Sequence, residues 1–331
     1  MPTARLRRGH FLWKGSLSML YIQPSANDTP VVQVIQQAQH SIDLNVYYLA
    51  DRGILQALQN AVHRGVSVRI ILDGRPYKMA PAKVQREFAE ARATGASVQQ
   101  APARFEARYV FDHAKYVCSA HACEIGTANF DWSAFHRNRE YLWVTRQPAI
   151  VTSARAVFDA DWNNIRAPSA VRKWLVLSPG ATQAIETMIA QPGPVEIESE
   201  EMGSDRQILQ AIEAKGAQAQ VILPESISSE DRRNAQALAA HGVQVRLMPK
   251  SAGYMHAKMI LGQQWTFIGS QNFSVSSLDR NREMGVVLTG ASVAPARSQF
   301  NADWNAAINL AAVPAGTSHG RYRRSWHRWR H

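Results

Sequence analysis

Two rhythms of apolar and polar positions take turns along this chain. Val31 to His40 spaces its apolar residues three and four apart, the signature of a helix with one buried face, and Thr29 with Pro30 reads as N-cap and first helical residue. Ser41 to Leu49 alternates with period two, as a half-buried strand does. Arg52 to His63 returns to the helical spacing, and Val66 to Asp73 is an apolar run of the kind a parallel sheet covers on both faces. A short strand at Leu20 to Gln23 precedes these elements, and a helix from Pro81 to Thr94 follows. Two strands around a turn come next, the first carrying His113 and Lys115. Glu140 to Thr145 then rejoins the sheet, and Ala154 to Asn163 is a closing helix. Around Ala167-Pro168-Ser169 the alternation restarts, with helices at 181–190, 205–214 and 229–240 (capped by Ser228 or Ser229) and strands at 195–201, 219–223 and 243–247. Strand and helix in alternation predict α/β layers.

The restart is a duplication. HAKYVCSAHACEIGTANFDWSAFHRNRE, from His113 to Glu140, superposes without a gap on HAKMILGQQWTFIGSQNFSVSSLDRNRE, from His256 to Glu283, with 12 of 28 positions identical at an offset of 143. Echoes extend well beyond it: DRGILQAL at Asp51 and DRQILQAI at Asp205, AVFDADWNNI and SQFNADWNAA. An internal repeat of this reach makes each copy a structural unit. We therefore expect a first half at 20–166 and a second at 167–316, between a basic extension at 1–19 and an Arg/Trp-rich tail at 317–331. The shared residues are a His, a Lys, an Asn and a closing Asn-Arg-Glu, while most apolar positions between them vary. Cores tolerate apolar exchange, whereas chemistry does not tolerate the loss of an imidazole, so the pattern is that of an active site.

Composition changes this picture little. At 331 residues, 46% hydrophobic and 19% charged, the chain is globular, and no apolar run reaches the length of a membrane span. Lys14 interrupts the N-terminal apolar stretch and no small-residue cleavage site follows, so no signal peptide is expected, and Met19 marks the expected start of the folded part. Charge adds more. Of the net +11, four positive charges lie at Arg5, Arg7, Arg8 and Lys14 and five at Arg321, Arg323, Arg324, Arg328 and Arg330, leaving a body close to neutral. The tail interleaves Arg and His with Tyr322, Trp326 and Trp329, which suits lipid head groups or single-stranded nucleic acid, or serves solubility alone. Cys118 and Cys123 flank a short turn. Their repeat mates are Leu261 and Thr266, so two small core hydrophobes are expected rather than a disulfide. His121 beside them is too little for zinc, and no metal or other cofactor is expected.

One copy of the motif offers an imidazole, an ammonium, a hydroxyl (Thr127 or Ser270) and an amide: a poor metal site but a good anion site. Two copies around a pseudo-twofold axis bring His113 and His256 together, with Lys115, Lys258, Asn129 and Asn272 around them. Such a pocket suits a phosphodiester. One neutral imidazole attacks phosphorus and the other, protonated, supplies the leaving oxygen with a proton. The lysines and asparagines hold the non-bridging oxygens, and Glu140 and Glu283 fix the tautomer of the histidines.

HxK, then GTAN or GSQN, then NRE, each present twice, resembles the phospholipase D superfamily with its two HKD motifs, over about residues 20 to 310. The resemblance implies two tandem α/β/α halves, mixed sheets flanked by helices, packed as a pseudo-twofold intramolecular dimer. It also implies one site between them and a phosphohistidine intermediate formed without metal. On this chain His113 corresponds to the usual nucleophile and His256 to the general acid. Lys115, Lys258, Asn129 and Asn272 match the phosphate-binding positions, with Thr127, Ser270 and Tyr254 as further substrate contacts. One departure is plain: the family's Asp, five residues after the Lys, is Ala120 in one copy and Gln263 in the other. Within the superfamily, the aromatic residues Tyr47, Tyr48, Trp132 and Tyr254 favour a phospholipid at a membrane surface, met by a cytoplasmic or peripheral monomer. A nuclease acting on single strands is the alternative, and an inactive anion-binding module the third reading.

Overall fold

The computed structural model describes residues 17–310; the Arg/Trp tail and nearly all of the N-terminal extension lie outside the described residues. The first half contains β1 (Ser18–Ile22), α1 (Thr29–Gln37), β2 (Ser41–Val46), α2 (Arg52–His63), β3 (Ser67–Leu72), α3 (Pro81–Ala93) and β4 (Ser97–Gln100). It continues through β5 (Lys115–Ser119), β6 (Cys123–Gly126), α4 (Trp132–His136), β7 (Asn138–Arg139), β8 (Tyr141–Thr145) and α5 (Pro148–Trp162). The second half contains β9 (Val176–Ser178), α6 (Thr182–Ile189), β10 (Val195–Ser199), α7 (Arg206–Glu213), β11 (Ala219–Pro224), α8 (Ser229–Ala240) and β12 (Gln244–Met248). It ends with β13 (Tyr254–Met255), β14 (Lys258–Leu261), β15 (Trp265–Gly269), α9 (Val275–Asp279), β16 (Glu283–Thr289), α10 (Val293–Ala306) and β17 (Ile308–Asn309).

Each half builds one mixed sheet. The order β1-β8-β6-β5-β2-β3-β4 of the first is matched strand for strand by β9-β16-β15-β14-β10-β11-β12 of the second, with β17 added at the far edge. The duplication in sequence is thus a duplication of topology. Its echoes have local causes. Asp51 and Asp205 are N-caps, the first accepting from Ile54 N and the second from Gln207 N and Ile208 N, and this satisfies amide groups that a helix start leaves unpaired. Ser228 and Asp231 form a reciprocal capping box on α8.

The largest core cluster belongs to neither half alone. Tyr116, Trp143 and Phe158 from the first pack in it with Met259, Met284 and Phe300 from the second, and each half has a further cluster of its own on the outer side of its sheet. Two ion pairs cross the same seam, one part-buried and one fully buried. Arg139 Nε donates to Asp303 at 2.7 Å, and Arg282 Nε and Nη2 donate to Asp161 at 2.8 and 2.9 Å. These are the Arg of each Asn-Arg-Glu and the Asp of each Asp-Trp echo, exchanged between halves. Beside them β7 pairs in parallel with β13, and Asp112 bridges to Arg282 in the mirror-image position.

Several expectations change. Asp28, not Thr29, occupies the cap position of α1 and makes no side-chain cap bond. α5 begins at Pro148 rather than Ala154, because proline suits the first helical turn. β4 carries no apolar pattern, being a short and largely exposed edge strand. The cysteines are also not a pair of free thiols: Cys118 and Cys123 face each other in register across the β5–β6 hairpin, Cα to Cα 4.0 Å, and form a disulfide. Leu261 and Thr266 make the same cross-strand pair in the second half, so the repeat comparison identified the packing position but not the bond. Among the described residues no helix is long and apolar enough to cross a membrane.

Candidate active site

The seam places each histidine against the opposite half. His113 lies just before β5 instead of on it, and its main-chain N–H donates to Arg282 O at 2.8 Å; His256 N–H donates to Arg139 O at 3.3 Å. In consequence His113 Nδ1 meets the Glu283 carboxylate at 2.9 and 3.2 Å. His256 Nδ1 lies 2.7 Å from Glu140 Oε1, an ion-pair distance at an angle too oblique for a hydrogen bond. Each imidazole is therefore braced by a carboxylate from the other half. With Nδ1 engaged, Nε2 is the ring nitrogen left for chemistry.

The carboxylates are themselves held. Thr127 Oγ1 and Asn138 Nδ2 donate to Glu140 at 2.6 and 3.2 Å, and Ser277 Oγ and Asn281 Nδ2 donate to Glu283 Oε1 at 2.6 and 3.1 Å. Thr127 and Ser270 were expected on the substrate; the structure puts both elsewhere. Thr127 is committed to Glu140 and also accepts from Tyr141 N, while Ser270 Oγ accepts from Met284 N at 3.0 Å. Both are fully buried. Ser277 escaped the sequence reading because its repeat mate is Ala134, so nothing in the duplication marks it.

Lys115 and Lys258 are fully buried, and each Nζ donates to the carbonyl oxygen of its own histidine, His113 or His256, at 2.7 Å. Burial pulls the Lys115 ammonium down to about 7, against the opposing charges of Glu283, Glu200 and Glu140. His113 is lowered as well, chiefly by burial, with Lys115 and Lys258 adding to the shift and Glu283 opposing it. Burial alone would raise Glu283, but the charges of His113 and Lys115 hold it below the usual carboxylate range. The amide oxygens of Asn129 and Asn272 are buried without a hydrogen-bond partner; as acceptors they do not themselves bind a phosphate oxygen, a task for the amide N–H groups. Tyr254 joins the site through its hydroxyl, which donates to Glu200 Oε1 at 3.1 Å.

Glu200 is a second site residue the sequence did not reveal. Its Oε2 accepts from Lys258 Nζ at 2.8 Å and lies 3.3 Å from His256 Nε2. The missing motif Asp, by contrast, bears little on the site. Ala120 sits in the β5–β6 turn and Gln263 in the β14–β15 turn, some five residues or roughly 17 Å along the strand from the lysines. In the first turn Ser119 Oγ accepts from the N–H groups of His121 and Ala122 at 3.3 and 3.0 Å, supplying the local bracing an Asp side chain would give.

Comparisons with known proteins agree with this architecture. The family described as "Cardiolipin synthase, PLD-like domain" matches residues 31–162 and again 195–304. A cardiolipin synthase of Alkalihalophilus pseudofirmus is 32% identical over 137 residues, covering 40% of this chain and 26% of that protein. A phospholipase D of Rickettsia prowazekii is 30% identical over 129 residues, covering 39% of this chain and 59% of that protein. The chain thus spans less than two thirds of the length of these relatives. Among solved structures, phosphatidylserine synthase of Haemophilus influenzae aligns over 89% of both chains with a TM-score of 0.65 at 12% identity. Polyphosphate kinase of Porphyromonas gingivalis aligns over 86% of this chain and 49% of its own with a TM-score of 0.64 at 14% identity; at such identities the likeness is one of fold. With the family matched once on each half, on two sheets of the same topology, this chain belongs to the phospholipase D superfamily.

Proposed function

We propose that the protein is a metal-independent phosphodiesterase of phospholipase D type, hydrolysing or transphosphatidylating phospholipid head groups. The observation that carries this reading is the crossed pair of histidines, each with Nδ1 on a carboxylate of the other half and a buried lysine beside it. His113 Nε2 attacks phosphorus, the bond to the head-group oxygen breaks, and that oxygen takes a proton from His256. Water or an alcohol, giving its proton back to His256, then displaces His113 from phosphorus. Lys115, Lys258, Asn129 and Asn272 bind the non-bridging oxygens as charge builds on them. Four such donors offset that charge from the protein's own side chains, the task a metal ion performs in other phosphodiesterases.

A lipid substrate is supported by the names of the two curated relatives and by the rim of the site. Aromatic rings run outward from His113 through Tyr47 and Phe111 to Tyr77 and Tyr109, both about half exposed. Lys78 and Arg108 lie over the outer two rings. Aromatic and basic groups together suit the head-group layer of a bilayer, and we place the protein there as a peripheral monomer.

Head-group release from phosphatidylcholine or phosphatidylglycerol vesicles in excess chelator tests the proposal, with His113→Ala as control. Activity lost in the variant supports it. Degradation of single-stranded DNA with the vesicles untouched would transfer the reading to a nuclease. Inactivity on both, and on bis(p-nitrophenyl) phosphate, would leave an anion-binding module. A requirement for added metal contradicts the chemistry whatever the substrate.

A further inference from the structure

Around the catalytic centre the two halves differ in chemistry at one place above all. Tyr47 follows directly on β2 and its N–H donates to Ala114 O at 3.2 Å; Glu200 follows directly on β10 and its N–H donates to Ala257 O at 3.1 Å. Ala114 and Ala257 are repeat mates, so Tyr47 and Glu200 occupy the same position under the pseudo-twofold axis. Their side chains do opposite things. The Tyr47 ring stands edge-on to His113, centroids 4.7 Å apart, with its hydroxyl accepting from Tyr77 N at 2.6 Å. Glu200 sets a carboxylate 3.3 Å from His256 Nε2, anchored by Lys258 and Tyr254.

His256 therefore lies between two carboxylates, Glu140 on Nδ1 and Glu200 on Nε2, whereas His113 has Glu283 on Nδ1 and an aromatic ring at its flank. The remaining charged groups around the pair are Lys115, Lys258 and Glu201, with the Tyr254 ring 6.1 Å from His256. Glu201, pushed up to about 8 chiefly by burial, carries little charge near neutral pH. Lysines and bracing carboxylates are matched between halves and cannot tell the histidines apart. Glu200 can.

We infer that Glu200 is a positioning residue that makes the two histidines unequal, holding the donor proton on Nε2 of His256 and leaving His113 to act as nucleophile. The inference rests on the phosphodiesterase reading above and deepens it. Glu200 is suited to the task because it stays ionised: burial would raise its carboxyl, but His256 and Lys258 hold it well below the usual range. Its carboxylate, 3.3 Å from His256 Nε2, is placed to accept an N–H from that ring nitrogen. Burial meanwhile favours the neutral form of His113. As the bond from phosphorus to His113 Nε2 forms and the bond to the leaving oxygen breaks, that oxygen collects the proton from His256.

The test compares leaving groups. Glu200→Gln keeps the size and the hydrogen bond to Tyr254 but removes the charge. On phosphatidylcholine, whose choline oxygen needs a proton to leave, kcat should fall on the order of 10-fold, part of the 10²–10⁴ that general acid catalysis supplies. On phosphatidyl-p-nitrophenol, whose phenolate leaves without one, the loss should stay within about threefold. Equal losses on both substrates, or none on either, overturn the inference. As a second measurement, rapid quenching of His256→Asn with phosphatidyl-p-nitrophenol should trap the phosphatidyl group on His113. Finding it on His256 in His113→Asn, and none in the reciprocal variant, overturns the assignment too. A wild-type protein inactive on both lipids refutes the parent reading, and the inference falls with it.

Discussion

Replacing Asp161 by Asn is the sharpest probe of how the halves are held. Arg282 is 4% exposed and directs two donors at Asp161 and a third at Ser178 O, while Arg104 adds a further bond to the same carboxylate. Neutralising Asp161 leaves a guanidinium buried without its counter-charge, which typically costs about 3–5 kcal/mol. The lower end applies here because a substitute is at hand. Asp112 is fully buried, and its carboxyl is raised first by burial and next by the charge of Asp161. Once Asp161 is neutral, Asp112 ionises more readily and recovers part of the loss. We expect about 3 kcal/mol, measured as the shift in free energy of urea unfolding at pH 7. Asp159→Asn, which breaks a largely exposed pair with Arg69, is the control and should cost less than about 1 kcal/mol. An Asp161→Asn loss no larger than this control would refute the view that the crossed ion pairs lock the seam.

Further outcomes follow from the same geometry. Glu283→Gln keeps the shape around His113 but presents the wrong hydrogen-bonding partner to Nδ1, and kcat on phosphatidylcholine should fall by roughly 10²–10⁴ with the fold unchanged by circular dichroism; a loss below tenfold would count against the tautomer argument. Glu87 is 3% exposed and pushed up to about 8, chiefly by burial, from an ordinary 4.5. The folded state therefore binds a proton there that the unfolded state has lost, so Glu87 costs stability increasingly as pH rises from about 4.5 to about 8, by at most ~1.4 kcal/mol per pH unit. Glu87→Gln should flatten that part of the stability curve, and an unchanged slope would refute the assignment. Denatured, unreduced protein should take up no alkylating reagent at Cys118 or Cys123 by intact mass, and two equivalents after reduction; two equivalents before reduction would show free thiols instead.

Much of the site was legible because duplication marks it. His113, Lys115, Asn129 and Glu140 recur with their mates at one offset, and at the seam each histidine meets the other half's glutamate with its own lysine on its carbonyl. The same comparison concealed whatever differs between halves. Glu200 was invisible because its counterpart is Tyr47, and Ser277 because its counterpart is Ala134; residues that break a symmetry leave no trace in a search for it. Arg139, Arg282, Asp161 and Asp303 were visible as echoes, but their exchange across the seam is a long-range pairing that no local spacing encodes. The disulfide was missed for a related reason: the cross-strand position was clear, whereas whether two thiols placed there join is a matter of redox conditions as much as of geometry.

The exchange of carboxylates between halves has a consequence for any attempt to divide this protein. A polypeptide ending near residue 166 would retain His113 but lose Glu283, and its complement would retain His256 but lose Glu140. Neither fragment is half of the whole; each keeps a histidine whose bracing carboxylate has been left behind. The crossed contacts would return only on reassembly with the complementary piece, and damage to one side of the seam is felt on both.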